Sequence, residues 1–416
     1  MAQLSDDCFA HGGAPMTVEE AARLVAERLS VVAGIETLPL GLCDGRVAAE
    51  GVRALNDLPL FANSAVDGYA VRHADLSPGG QTLLPVSGRL TAGASGQPSA
   101  TGAAVRIFTG APMPPEADTV FMQEDVAREG ERVALPPGLA RGANARPAGE
   151  DIQRGGLTIP AGRRLRPQDL ALASATGHAA LPVRRRLRVA LFSTGDELAE
   201  PGARLPPGGI YDANRVMLAA LLTRMGAQVA DLGILRDDPA VLAGRLTEAA
   251  GAHDLILTSG GVSVGEADFV RPAVEAAGRL MFWRIAIKPG RPVAMGIVAG
   301  TPFVGLPGNP VAVYVTLLFV VRPLVARLAG ALYDPPVPQA ARAAFAYAKK
   351  AGRREFIRVS VRRGEDGALW ASRFPREGAG ILTALTEGDG LAEIAEATTA
   401  VREGDAIAFY PHALLC

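Results

Sequence analysis

Residues 254–269 read DLILTSGGVSVGEADF. A short apolar run leads straight into twelve positions, 258–269, that hold three glycines, three hydroxyls and two carboxylates. A backbone so bare, with acids directly behind it, suits a surface turn or a place where phosphate and a metal ion meet the main chain. The flanking sequence decides between them. Before it, LRVALFS (187–193) and QVADLGIL (228–235) have strand character, while ANRVMLAALLTRMG (213–226) and PAVLAGRLTEAAG (239–251) have helical periodicity. After it, DFVRPAVEAAG (268–278) reads as helix, and FWRIAI (282–287), VAMGIV (293–298) and TPFVGL (301–306) read as strands. NPVAVYVTLLFVVRPLVARLAG (309–330) reads as a long buried helix with Asn309 at its cap and Pro310 at its first position. This alternation predicts a mostly parallel sheet with helices on both faces, spanning 186–333.

Outward from that unit, TVEEAARLVAERLSVVA (17–33) predicts an amphipathic helix opened by a Thr17/Glu20 capping box. Val18, Ala21, Val25, Leu29 and Val32 form its apolar stripe. Between 45 and 146 the runs GYAVR, TLLPVSGRL, AVRIFTG, DTVFMQEDV and ERVALP are cut by glycine and proline and predict a β-rich lobe. Residues 1–44 and 147–185, with a short helix near PQDLALASATG, form a discontinuous helical and linker domain. After DPPVP (334–338), the runs FIRVSVRR, ALWASRF and AIAFYPH predict a small β-barrel-like domain over 334–416. The fold class is multidomain α/β plus β.

Ligands of open α/β sheets bind beyond the carboxyl ends of the strands. The unusual residues gather there: STGDE (193–197), RDDP (236–239), SGGVSVGEAD (259–268), KPGRP (288–292) and LPGNP (306–310). Glycines and helix N-termini bring backbone N–H groups to an anion. Lys288 can sit on a phosphate as a point charge, and Arg291 can grip an oxyanion with two donors. Glu197, Asp237, Asp238, Glu266 and Asp268 tolerate a neighbouring anion only with a cation between them, and Mg²⁺ held by carboxylates and phosphate oxygens supplies it. The edge therefore reads as a site for Mg²⁺ and a phosphorylated substrate. Singly, each loop has a plainer reading: a GG turn, a helix cap at RDDP, a turn at PGNP. Their concentration on one edge favours a site. In the lobe, PLFANSAVDGYAVR (59–72) with Asp67 and RIFTGAPMP (106–114) with Thr109 read equally well as hairpin turns.

Composition narrows the class. At 416 residues and 49% hydrophobic, the chain has material for two to four domains. A net charge of −1 without a basic face gives no argument for nucleic acid. The longest apolar run, VAVYVTLLFVV (311–321), falls short of the ~20 residues that span a bilayer, and the N-terminus lacks a signal-peptide core, so the expectation is a cytoplasmic protein. Cys8, Cys43 and Cys416 form no CxxC pair, and the five histidines are scattered, so a metal site here is expected to be oxygen-rich. Of 42 basic residues only Lys288, Lys349 and Lys350 are lysine, and Lys288 alone directly follows a strand-like run.

FANSAVDGYAVR, RIFTGAPMP, RPAGEDI, STGDEL, RDDP, SGGVSVGEAD, KPGRP and GLPGNPV occur in the order and spacing of one family. Over nearly its whole length the chain resembles the molybdopterin molybdenumtransferases, the MoeA-type proteins and the E domain of gephyrin. The resemblance implies Mg²⁺-dependent reaction of adenylylated molybdopterin with molybdate, giving molybdenum cofactor and AMP. It further implies an elongated homodimer formed through the linker domain, with the cleft between the α/β domain of one subunit and the β-lobe of the other. The preceding adenylyltransferase and molybdoenzyme apoproteins are implied as further partners. Asp67, Glu197, Asp237, Asp268 and Lys288 match the family's catalytic residues, with Asp237 and Asp268 approaching Mg²⁺. Thr109, Arg146, Asp151, Ser193, Thr194, Gly195, Gly260, Gly261, Ser263, Arg284, Arg291, Pro307, Gly308 and Asn309 fall at substrate-binding positions.

The sequence departs from the family pattern in places. Arg284 and Arg291 stand where lysines are usual, which keeps the charge and changes its geometry. Ala213 replaces a common serine, and Thr383 and Ala384 stand where serines are frequent, so no molybdate contact is assigned there. The alternative activity is an Mg²⁺/ATP-dependent molybdopterin adenylyltransferase, whose shorter chains lack the NSAVDGYAVR lobe. A receptor-clustering scaffold is a further alternative, and four intact acids argue against it.

Overall fold

A computed structural model describes residues 15–94, 98–236, 238–260, 269–290 and 292–415. Around 254–269 lies the α/β unit that the alternation predicts. It comprises β1 (Arg188–Thr194), α1 (Ala213–Arg224), β2 (Gln228–Leu235), α2 (Pro239–Ala252), β3 (Leu255–Ser259), α3 (Val270–Ala277), β4 (Gly278–Arg284), β5 (Pro292–Val298), β6 (Thr301–Leu306) and the helix α4 (Pro310–Leu328). The strand order is β2-β1-β3-β6-β5-β4. β2, β1, β3 and β6 are parallel neighbours, and β5 runs antiparallel to both β6 and β4. β4 therefore ends at the same edge as the parallel set, and the loop after it rejoins the other strand ends.

Strand period 2 explains how both faces are covered. Val189, Leu191, Leu255, Leu257 and Val304 face one core with Leu218 and Leu222 of α1 and Val313 and Val315 of α4. Ala190, Phe192, Ile256 and Phe303 face the other, with Leu242 and Leu246 of α2 and Val270 and Val274 of α3. At the opposite edge, Arg188 Nη2 donates to Asp254 Oδ1 at 2.8 Å and pins the starts of β1 and β3.

α4 is apolar all round because it lies inside the protein: a window of it with mean hydropathy 1.9 is 83% buried. Its 19 residues extend beyond the 311–321 run and reach membrane-spanning length, yet the packing identifies a core helix. It widens to a π-turn at Leu317–Val321, just before Arg322 and Pro323, where proline offers no N–H to the preceding turn.

The N-terminal helix, Val18–Arg28, has both arms of the expected capping box. It stops short of the 33 that periodicity suggested. Val32 and Ala33 instead donate their N–H groups to the Leu328 carbonyl at 3.0 and 3.2 Å, a tertiary contact that outcompetes another helical turn. Behind it, Ile35–Pro39 pairs with Ala180–Arg184, Val52–Arg53 pairs with Leu157–Ile159, and Pro167–Ala175 is helical.

The lobe is a six-stranded sheet, ordered Thr119–Met122, Gly68–Val71, Ala104–Ile107, Thr82–Leu90, Arg132–Leu135, Ala127–Glu129. In the C-terminal domain, Arg354–Arg363, Leu369–Arg373, Gln339–Ala343, Ala406–Pro411 and Gly390–Ile394 pair in a ring that closes back on the first. The barrel is tied to the α/β unit twice. Ile287–Lys288, the last residue of FWRIAI and the one after it, leaves the central sheet and pairs with Arg354 and Glu355. Phe319 of α4 stacks on Phe356 with centroids 4.1 Å apart and meets Tyr410 edge-on at 5.4 Å.

Candidate active site

The ends of β3 and β6 are held together by one asparagine. Asn214, at the start of α1, donates through Nδ2 to Ser259 Oγ at 2.9 Å and to the Gly308 carbonyl at 2.7 Å. Ser259 Oγ reaches the Pro307 carbonyl at 3.4 Å. Gly260 sits between them at φ +88°, where an added Cβ would stand 2.8 Å from the Thr194 carbonyl, so only glycine lets the strand ends approach. Among the described residues, four side-chain oxygens near the strand ends are buried without a partner: Ser193 Oγ, Thr194 Oγ1, Thr258 Oγ1 and Asn214 Oδ1. Orphaned buried oxygens are costly unless a ligand meets them.

Glu197 folds back over Gly195, with its carboxylate beside the Gly195 Cα, and the Gly195 φ of +144° is itself one that favours glycine. The following turn is fixed by Arg215, buried at 4% exposure and ion-paired to Asp212, Asp231 and Glu200. Sequence reading overlooked this arginine, although the DANR cap contains it. Asp238 caps α2, accepting from the Ala240 and Val241 amides at 2.9 and 3.1 Å, which is the plain reading of RDDP for that residue. Asp237, Gly261, Ser263, Asp268 and Arg291 lie outside the described residues, and with them both metal ligands that the sequence suggested. Among the described residues no group of three or more His, Cys, Asp or Glu forms a metal site. The oxygen-only donors at this edge are of the kind Mg²⁺ and phosphate accept.

α4 begins at Asn309 and Pro310 as expected, but the Asn309 side chain makes no capping bond. The Val311 amide is taken instead by the Ala379 carbonyl of the C-terminal domain at 2.9 Å, which brings the 376–382 segment to the PGNP loop. KPGRP lies on the same helix: Gly290, at φ +107°, leaves room for Thr316, whose Oγ1 an added Cβ would meet at 2.2 Å.

Lys288 is half-exposed, and its Nζ donates to Glu355 Oε2 at 3.1 Å and to Tyr347 Oη at 3.4 Å. Tyr347 Oη itself donates to Glu355 Oε2 at 2.5 Å. Burial works against the ammonium, yet these hydrogen bonds prevail and raise its pKa above the ordinary lysine value. Glu355 is 3% exposed and arrives from the barrel, so no motif around Lys288 revealed it. Beside Tyr347 stands Arg358, which donates to the Gly378 carbonyl at 3.1 Å and keeps a buried, unpartnered Nε. Arg284, at the end of β4, is exposed.

In the lobe, the three motif segments converge. Ala145–Arg146 pairs with Asn63–Ser64, Asn63 also bridges to Pro112, and the Asp151 amide bonds to the Leu58 carbonyl at 2.9 Å. Asp67 Oδ1 accepts from both the amide and the hydroxyl of Thr109, each at 2.8 Å. These bonds hold the Asp67 carboxyl below its ordinary range, helped by the Arg106 charge. Asp67, Thr109, Arg146 and Asp151 thus lie together in the lobe, while Glu197 and the glycine loops lie at the strand ends of the α/β unit and Lys288 at its joint with the barrel. Among the described residues, no hydrogen bond or ion pair joins the lobe residues to the others.

Residues 16–177 match the model of the MoeA N-terminal region (domains I and II), 190–327 that of a probable molybdopterin binding domain, and 340–412 that of the MoeA C-terminal region (domain IV). The chain is 36% identical over 400 residues to a Haemophilus influenzae protein named molybdopterin molybdenumtransferase, covering 95% of this chain and 98% of that one. It is 40% identical over 335 residues to molybdopterin molybdenumtransferase 2 of Mycobacterium tuberculosis, covering 77% and 82%. A crystal structure of the moeA molybdopterin biosynthesis protein of Pyrococcus horikoshii superposes with a TM-score of 0.81 at 30% identity, covering 95% and 100%.

Proposed function

The chain belongs to the MoeA family of molybdopterin molybdenumtransferases, and from that premise we propose that it inserts molybdenum into adenylylated molybdopterin, consuming molybdate and releasing AMP. The observation that carries this reading is the strand-end cradle. The orphaned oxygens of Ser193, Thr194, Thr258 and Asn214 border glycine loops inside the segment that matches a molybdopterin-binding domain. Such a cradle offers hydroxyl donors and backbone N–H groups to a pterin and its phosphates.

In the proposed mechanism, the cradle fixes the substrate and holds the adenylyl link at the edge of the sheet. Asp237 and Asp268 are the residues that would hold Mg²⁺, which would supply positive charge against the phosphate oxygens. Lys288, kept as an ammonium by Glu355, faces developing negative charge without gaining or losing a proton. Arg358 and Lys288 supply the positive charge that a tetrahedral oxyanion such as molybdate needs near the barrel. Asp67, ionised through Thr109, and Arg146 and Asp151 complete the site from the lobe of a second subunit in a cytoplasmic homodimer. That arrangement accounts for two functional groups with no bond between them in one chain.

The test is reconstitution. Purified protein, adenylylated molybdopterin, Mg²⁺ and molybdate are incubated with a cofactor-free molybdoenzyme, whose recovered activity is measured. Recovery that needs molybdate supports the proposal. Recovery that instead needs free molybdopterin and ATP would assign the protein to adenylylation.

A further inference from the structure

A second cleft lies away from the strand ends, where the linker domain meets the α/β unit. Its volume is about 660 Å³, and the arginines 163, 164, 166, 224 and 322 line it. Two carboxylates, Asp44 and Asp334, line it as well. Most of these arginines are already engaged. Arg163 and Arg166 share Asp169 at 3.5 and 2.9 Å. Arg164 donates to the carbonyls of Gly45 and Met225 at 2.8 and 2.7 Å, which staples the end of α1 to the linker.

Arg224 and Arg322 are different, since neither has a described hydrogen-bond or ion-pair partner. Arg322 stands directly after the π-turn of α4, and its Nη1 is buried without any acceptor. Arg164 makes matters worse for it. Burial and the neighbouring charges of Arg322 and Arg186 lower the pKa of Arg164, which places its guanidinium close to that of Arg322 beside the cleft. A guanidinium nitrogen buried without an acceptor is relieved by an anion that reaches it.

We propose that this cleft binds a phosphate-class dianion between Arg224 and Arg322, at a site separate from the strand-end cradle. Guanidiniums match tetrahedral oxyanions with paired N–H donors, and two of them around one dianion balance its charge. The volume far exceeds one phosphate. Met225, Leu332 and Tyr333 also line the cleft and offer apolar and aromatic surface to the organic part of a phosphomonoester. The ligand would bridge α1, α4 and the strap that leads to the barrel, and so tie the domains together.

The experiment is isothermal titration of the full-length protein with inorganic phosphate and, separately, with ribose 5-phosphate, at low salt. The variants are Arg322→Met, which keeps the side-chain volume, and Arg224→Gln, at the exposed end of α1, where unfolding is not expected. Circular dichroism checks both. The wild type should show a saturable site that weakens at least tenfold in Arg322→Met and also weakens in Arg224→Gln. Tighter binding of ribose 5-phosphate would identify a phosphomonoester, and equal binding a bare ion. Isotherms identical in the wild type and both variants would overturn the proposal, as would the absence of saturable binding to the wild type.

Discussion

Lys288 Nζ and Glu355 Oε2 lie 3.1 Å apart across the joint between the α/β unit and the barrel. Short parallel pairing of Ile287–Lys288 with Arg354–Glu355 sets that distance from the backbone. The lysine is therefore positioned by a domain other than its own, and the first prediction follows from this. Glu355→Gln keeps the side-chain shape and removes the charge. It should lower kcat more than it raises KM, while Lys288→Ala should lower kcat further and raise KM further. A loss of order tenfold or more is expected for Lys288, corresponding to about 1.4 kcal/mol of transition-state stabilisation. If Glu355→Gln shifted only KM, the carboxylate would be acting on binding alone.

Asp67 gives a pH signature. Its folded pKa is lowered below the ordinary 3.8, so its contribution to stability is complete above that value and fades as pH falls through the folded pKa. Denaturation of the wild type and Asp67→Asn should therefore differ near neutral pH and converge once the pH has fallen below the folded pKa. A Thr109→Ala variant, watched by carboxyl NMR, should move the Asp67 pKa back towards 3.8. A gap that widened on acidification would contradict the hydrogen-bond account.

Gly290→Ala should destabilise the chain by about 1–3 kcal/mol, because the added Cβ meets Thr316 at a backbone angle that L-residues avoid. Thr316→Ala should recover only the steric part. Thermal unfolding of the two single variants and the double variant separates the contributions.

Asn214→Ala should cost about 1–3 kcal/mol, since it leaves Gly308 O and Ser259 without a donor. More telling is its effect on substrate. The loops after β3 and β6 lose their common anchor, so KM should rise even under conditions where the variant is fully folded.

The two separate residue groups predict complementation. Asp67→Ala and Asp268→Ala chains, each inactive alone, should regain up to roughly a quarter of wild-type activity when mixed in a dimer, because one of the two clefts in each hybrid is intact. Mixtures that stay inactive after confirmed subunit exchange would place both acids in one chain's site.

Much of the fold was legible because local pattern and tertiary packing agree. The period-2 runs of β1, β3 and β6 and the glycine-rich loops after them are local features, and from them the sequence yields the parallel sheet and the proposal of a site at its carboxyl edge. Thr17 and Asp238 cap helices as their spacing suggests. What escaped was non-local. The Leu328 carbonyl ends the first helix early, Ala379 replaces the expected Asn309 cap, and Glu355 reaches Lys288 from the barrel. Arg215 was hidden for a related reason. Its partners Asp231 and Glu200 sit on a strand and a loop, so the sequence shows charges without showing that they meet. The arginines of the second cleft were likewise dispersed along the chain, and only the fold gathers 163–166 with 224 and 322.

The most direct measurement is AMP release by the purified protein from adenylylated molybdopterin and Mg²⁺, with and without molybdate. The account predicts release that requires molybdate and disappears in Asp268→Ala. Release unaffected by molybdate, or retained in full by Asp268→Ala, would contradict it.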